Sequence, residues 1–171
     1  MSSTSRSNPG PAVRKRKEGH PHKGVSALES HLGYWLRVVS NHVSHAFKTK
    51  VEAHGVTVAE WVVLRAMFDE DIVKPSALAE KIGLTRGAVS KLVDRLANKD
   101  LLLVRSDPTD GRAQCLTLSA RGRSLVPKLA ALADDNDAEA FGHLSDEQRA
   151  NMLRTLKRLV DHLGLGASAV D

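Results

Sequence analysis

The sequence predicts a mainly helical fold with one small β-hairpin. Apolar residues recur at helical spacing along most of the 171-residue chain. Two short helical patterns also flank a tight IGLT turn. A β-hairpin pattern follows, with a turn-rich DPTDGR loop and a second arm, 113–118, that alternates in period two. A chain of this length is one modest domain that can bury a substantial core.

The first 24 residues predict a disordered tail. They are rich in Ser, Pro and Gly, carry six basic residues and one Glu, and show no apolar period. The run Arg14 to Lys17 could contact phosphates or the minor groove of a nucleic acid. The alternative is a solvated tail, and the sequence leaves its role open.

Two amphipathic helices are expected next. The first runs from Ala27 to about Glu52, and the second from Thr57, a plausible N-cap, to Phe68. The apolar stripe of the first helix comprises Leu28, Leu32, Trp35, Val39, Val43, Ala46 and Phe47.

A helix–turn–helix pattern follows. Pro75 is tolerated in a first helical turn, Gly83 suits a helix end, and Thr85 can cap the next helix. In that next helix the apolar stripe is Val89, Leu92, Val93 and Leu96, and the residues off the stripe are Arg86, Ser90, Lys91 and Arg95. The helix therefore has a polar, basic face that can point outward.

The hairpin arms are predicted at 101–105 and 113–118. Asp107 and Asp110 in the loop are interpreted as partners that hold Arg105 or Arg112. A small buried role is expected for Cys115.

Two helices should complete the chain. Ser119 is expected to cap one that runs toward Glu139, with Pro127 either kinking it or making its start irregular. A capping box of Ser145 and Gln148 should open the last, whose apolar face carries Met152, Leu156, Leu159 and Leu163.

Charge is unevenly distributed along the chain. Residues 74–123 hold ten basic and five acidic side chains, whereas acidic residues outnumber basic ones in both 25–73 and 124–171. This is the footprint of a nucleic-acid binder, and a helix beside a basic hairpin fits the two grooves of B-DNA. The predicted contacts to double-stranded DNA are Thr85, Arg86, Gly87, Ser90, Lys91, Arg95, Arg105 and Arg112.

The segment LAEKIGLTRGAVSKLVDRLANKDLLLVRSDPTDGRAQCLTLSARG, Leu78 to Gly122, resembles the MarR family of winged helix-turn-helix regulators. The resemblance implies a winged helix-turn-helix region at 57–118, an N-terminal dimerisation helix at 25–56 and C-terminal dimerisation helices at 119–171. It also implies a homodimeric transcriptional regulator, expected to be a repressor, on a near-palindromic operator. Many members carry a second Arg where this chain has Gly111, which removes one cation from the wing.

Family members often respond to aromatic acids, peroxides or zinc. The thiol required for peroxide sensing is missing near the first helix, and a clustered ligand set for zinc is not recognisable, so no metal or cofactor is expected. A small-molecule effector remains, and its candidate contacts are His31, Trp35, His42, His45, Trp61 and Arg65. The alternative is that these are ordinary core and interface residues.

Other functional classes are less consistent with the residues. The chain shows no catalytic triad or phosphate loop, so an enzyme is not expected. It also lacks a run long enough to span a membrane and the apolar core of a signal peptide, and with a single cysteine a cytoplasmic location is expected. An architectural or non-specific DNA-binding protein is the alternative function.

Overall fold

The computed structural model describes residues 24–106 and 114–165. These residues form a mainly α fold with one antiparallel β-ribbon, which confirms the predicted class. Their elements are, in chain order, a 3₁₀ turn (Leu28–Ser30), α1 (Leu32–Glu52), α2 (Val58–Met67), α3 (Pro75–Ile82), α4 (Arg86–Asn98), β1 (Leu102–Ser106), β2 (Gln114–Leu118), α5 (Ala120–Phe141) and α6 (Asp146–His162).

The chain divides between Arg37 and Val38 into two compact units. In the first unit the expected helix start at Ala27 is wrong, because α1 begins at Leu32 after the 3₁₀ turn and an extended His31. The Ser30 hydroxyl donates to the Ala27 carbonyl at 2.6 Å, and this local bond competes with a regular helix at that point.

The hydrophobic core of the second unit lies among α2, α3, α4, the ribbon and the start of α5. Each helix contributes the apolar stripe seen in its sequence, while the ribbon buries Leu102, Leu116 and Leu118. Beyond the expected hairpin, Val73 adds a bridge, since its N–H and carbonyl each bond to Leu116 at 2.9 Å.

The predicted helix ends are confirmed by their hydrogen bonds. Thr57 forms a capping box with Glu60, Thr85 caps α4 by accepting from the Ala88 N–H, and Ser119 caps α5 by accepting from Gly122. The capping box of Ser145 and Gln148 opens α6 as expected. Gly83 ends α3 at φ 69°, in the left-handed region that glycine enters without a steric penalty.

The ribbon is in register from Leu102 opposite Leu118 to Ser106 opposite Gln114. Its first strand therefore lies one residue later than predicted. Cys115 is buried as expected. The predicted tail, including Arg14 to Lys17, and the loop with Asp107, Asp110 and Arg112 lie outside the described residues.

α5 starts with a regular cap at Ser119 and is one helix through Pro127. The irregular start that was one of two expectations for this proline is therefore wrong. α5 continues to Phe141, two residues beyond the predicted end near Glu139.

An ion pair between the partly exposed Lys99 and the buried Glu60 joins the end of α4 to the start of α2. The Lys99 ammonium donates to both Glu60 carboxylate oxygens, at 2.8 and 2.7 Å, and to the Gly55 carbonyl at 2.9 Å. Burial by itself raises the pKa of Glu60, but the hydrogen bonds from Lys99 and the Thr57 N–H outweigh it, so that this pKa lies below its ordinary value. Glu60 is only 1% exposed and is held as a carboxylate at neutral pH.

The chain turns tightly where α4 passes into β1 and α5 begins. Asp100 adopts φ 56°, its carbonyl accepts from the Ser119 hydroxyl at 2.6 Å, and the Lys99 carbonyl accepts from Arg121 at 3.1 Å. A Cβ on Gly122 would overlap the Leu101 carbonyl oxygen and lie 3.0 Å from the Leu101 carbonyl carbon. α5 can therefore reach the ribbon only with glycine at this position.

The Gly122→Ala variant should lower the free energy of unfolding by about 2–3 kcal/mol, because backbone atoms must move to admit the methyl group. Urea unfolding followed by circular dichroism measures this difference.

Gly87→Ala is the matched control, since Gly87 also lies in the first turn of a helix but has no atom within 4 Å of an added Cβ. Its free energy of unfolding should be unchanged or raised by up to about 1 kcal/mol. Equal destabilisation by both variants would contradict the close approach at Gly122.

Candidate nucleic-acid interface

Helix α4 separates an apolar inner face from a basic outer face. Val89, Leu92, Val93 and Leu96 are buried in the core. The predicted contact residues Arg86, Ser90, Lys91 and Arg95 are all exposed, as the sequence stripe indicated. A helix anchored on its apolar side thus presents hydroxyl, ammonium and guanidinium donors to solvent.

The N-terminal end of α4 is open on its outer side. Thr85 is exposed while its hydroxyl oxygen accepts from the Ala88 N–H at 3.2 Å. Gly87 is exposed and adopts no positive φ, so the backbone conformation does not require glycine there. The absence of a side chain at Gly87 leaves room for a ligand to approach the backbone closely.

Ion pairs hold seven cations elsewhere in the described structure. They join Lys48 to Glu52, Lys50 to Glu139, Arg65 to Asp69, Lys81 to Glu70, Lys99 to Glu60, Arg123 to Asp71 and Arg149 to Asp137. By contrast, no described carboxylate lies within ion-pair distance of Arg86, Lys91 or Arg95. The outer face of α4 is therefore available to anions from outside the chain.

The ribbon supplies one further described cation. Arg105 is exposed opposite Cys115, one residue before the end of β1. It has no ion-pair partner among residues 24–106 and 114–165. It extends the basic surface beyond α4. Arg112, the other predicted wing contact, lies outside the described residues.

This arrangement suits recognition of a double helix. An α-helix fits the width of the major groove of B-DNA, and Arg and Lys donate both to phosphates and to guanine edges. In the described residues, no group of three or more His, Cys, Asp or Glu side chains is placed to hold a metal ion. The exposed guanidinium and ammonium donors on the outer face of α4 equip that face to bind a ligand through hydrogen bonds and charge.

Two of the candidate effector residues already have partners. Trp61 is buried and packs edge-to-face against Phe47, with ring centroids 6.4 Å apart. Arg65 donates to Asp69 at 2.7 Å, and this hydrogen bond lowers the pKa of Asp69. Arg65 thus shows that it can hold a carboxylate at this position.

The four candidates near the chain start have different settings. His31 contacts the Ala27 and Leu28 carbonyls and precedes α1, so its expected place inside the helix predicted from Ala27 is wrong. Trp35 donates from Nε1 to the Glu29 carbonyl at 2.8 Å. His42 and His45 are exposed on α1, and their imidazole rings have no hydrogen-bond or ion-pair partner among the described residues.

An open groove of about 230 Å³ lies between α5 and α6. Its lining includes Phe141, Leu144 and Leu156, together with the Asp137–Arg149 ion pair. None of the six candidate effector residues lines it.

Among the helices that the structure describes, none combines the length and the apolar character that a membrane span requires.

Comparisons with known proteins agree with this geometry. The family model described as MarR family matches residues 54–113, which span α2, α3, α4 and β1. The transcriptional regulator HosA of Escherichia coli is 24% identical over 68% of this chain and 87% of its own length.

Two solved structures are similar in both sequence and fold. BpsR of Bordetella bronchiseptica, whose DNA binding is regulated by 6-hydroxynicotinic acid, is 25% identical with a TM-score of 0.71, over 81% of this chain and 99% of that one. CouR of Rhodococcus jostii, crystallised with p-coumaroyl-CoA, is 25% identical with a TM-score of 0.68, over 79% of this chain and 95% of its own. Together with the helix–turn–helix of α3 and α4, the β-ribbon and the family match over residues 54–113, these similarities support a MarR-family winged-helix transcriptional regulator.

Proposed function

We propose that the chain is a homodimeric, sequence-specific repressor that binds a near-palindromic operator and is released by a small aromatic acid. The observation that carries the DNA-binding part is the unpaired basic face of α4, exposed while the opposite face is anchored in the core. The alternative, an architectural or non-specific DNA-binding protein, makes a different prediction for the same residues.

In this proposal α4 enters the major groove by its N-terminal half. Arg86, Ser90 and Lys91 read base edges there, while Gly87 lets the backbone come close. Thr85 and Arg95 contact the flanking phosphates. Arg105 and Arg112 of the wing reach the neighbouring minor groove or its phosphates.

The proposal of a homodimer rests on α6. This 17-residue helix has a capping box at its start, yet none of its residues is buried. Leu153, Leu159 and Leu163 are 54%, 42% and 62% exposed along its apolar face. A monomer rarely exposes such a continuous apolar stripe, whereas a second copy would cover it.

The effector part of the proposal draws on both chemistry and relatives. BpsR and CouR each respond to or bind an aromatic compound with an acidic group or its thioester. His31, Trp35, His42, His45 and Trp61 offer aromatic or imidazole groups for such a ligand, and Arg65 offers a guanidinium already paired with a carboxylate. The effector would release DNA by binding more tightly to a dimer whose α4 helices are wrongly spaced.

The test of sequence-specific binding is selection of bound fragments from sheared genomic DNA, followed by affinity measurements on the enriched site. Lys91→Ala should lower affinity for that site by at least about tenfold, while affinity for unrelated DNA falls much less. Fluorescence anisotropy on both duplexes gives the two affinities.

The matched control is Lys128→Ala, because Lys128 is also exposed and has no ion-pair partner in the described structure but lies on α5. It should leave both affinities nearly unchanged. An equal loss on specific and unrelated DNA for Lys91→Ala would instead favour the architectural alternative.

Leu156→Asp should convert the dimer to monomers at micromolar concentration, because a buried carboxylate on the α6 face lacks a partner. Light scattering measures the mass. Asn151→Asp adds the same charge to the polar side of α6, where Asn151 contacts Arg154, and should remain dimeric. A wild-type protein that is monomeric under these conditions would refute the dimer.

A panel of aromatic carboxylic acids that includes 6-hydroxynicotinic acid should contain a compound that releases the wild-type protein from the selected site. Arg65→Gln should require about tenfold more of that compound, since it loses a charge-assisted hydrogen bond. Displacement titrations measure the two concentrations. Equal concentrations for both proteins would remove Arg65 from the effector site.

A further inference from the structure

We propose that Lys99 is a positioning residue for DNA recognition: by joining Glu60 and Gly55, it sets the angle at which α4 is presented to the duplex. This inference rests on the proposed function. It concerns the C-terminal end of α4, one turn beyond Arg95, and it gives residues that are not themselves predicted to contact DNA a role in specificity.

The anchor is built from three elements. The Lys99 ammonium bonds to both carboxylate oxygens of Glu60 in α2 and to the Gly55 carbonyl in the α1–α2 turn. The carboxylate of Glu60 is simultaneously committed to the Thr57 N–H at 2.7 Å, as part of the α2 capping box. The end of α4 is therefore tied to a carboxylate that cannot move without disrupting the start of α2.

Two further bonds hold the same end of α4. Arg121 donates to the Lys99 carbonyl and Ser119 donates to the Asp100 carbonyl, both from around the start of α5. At the outer end of α4, the cap from Thr85 is a bond within the helix itself. Polar bonds to other elements therefore hold the C-terminal end of α4. The position of its N-terminal end follows from the direction of the helix and from the packing of its apolar face.

The length of α4 makes this anchor important. Its 13 residues span about 20 Å, so a rotation of about 10° at Lys99 would displace the outer end by about 3 Å. That displacement equals the length of a hydrogen bond to a base edge. The hydrophobic driving force has no directional preference of its own. The hydrogen bonds of the Lys99 ammonium, and those accepted by the Lys99 and Asp100 carbonyls, each require a defined geometry.

The test compares full-length wild type with the double variant Glu60→Gln/Lys99→Met. Gln at position 60 can keep the capping box, and replacement of both charges avoids leaving the buried Glu60 carboxylate without its cation. A site selected by the wild type from random duplex DNA and an unrelated duplex are both titrated over a range of salt concentrations. Thermal unfolding confirms that the variant is folded at the assay temperature.

The expected result is a fall of about tenfold in the ratio of specific to unrelated affinity, with no change in the salt dependence of binding to the unrelated duplex. Lys128→Met removes a positive charge from α5 and should leave the ratio unchanged. If the double variant does not fold, Glu60→Gln alone is measured in its place, and a ratio equal to wild type overturns the proposal.

Two other results would also overturn it. A folded double variant with an unchanged ratio means that the pair only stabilises the fold. A salt dependence lower by about one unit of slope means that Lys99 contacts a phosphate directly. A wild type that enriches no sequence contradicts the proposed function itself, whereas an enriched sequence with an unchanged ratio contradicts only the role of Lys99.

Discussion

The contact between Lys99 and Glu60 is the constraint on which the geometry of the basic helix depends. A carboxylate that is 1% exposed needs a cation and full hydrogen bonding, and Lys99, the Thr57 N–H and the packing of α2 supply both. Because Lys99 is the residue that follows α4, satisfying Glu60 also places the end of that helix. The need of the buried Glu60 carboxylate for a cation is in this way linked to the direction of α4.

Close backbone approach provides the second constraint at the same junction. Gly122 allows the first turn of α5 to contact the Leu101 carbonyl, and Ser119 both caps α5 and donates to Asp100. Gly87 has no comparable internal contact. The two glycines therefore have different roles. Packing within the chain requires Gly122, whereas Gly87 leaves space on the surface where DNA is proposed to approach.

The distribution of unpaired groups separates the surfaces of this protein. A single acidic segment, Asp69 to Asp71, forms ion pairs with three cations: Arg65, Lys81 and Arg123. The charges of these three side chains are therefore balanced within the chain. The basic side chains along the outer face of α4 lack such partners within the described residues. On α6, in contrast, large apolar side chains such as Leu153 and Leu159 are exposed. The basic face of α4 suits a polyanion such as DNA, and the apolar face of α6 suits a second copy of the chain.

Local patterns in the sequence determined much of the architecture. Helical periodicity and the caps at Thr57, Thr85 and Ser119 predicted the element order, and the stripe in α4 predicted which basic residues face outward, because these properties depend on neighbours within about four positions. The start of α1 was misplaced, since the bond from Ser30 to Ala27 competes with an equally plausible helix. Only the tertiary structure decided that Lys99 meets Glu60, 39 residues away, and that Trp61 packs on Phe47. Pairings of this kind depend on how helices cross and how deeply each side chain is buried, and neither quantity has a local signature in the sequence.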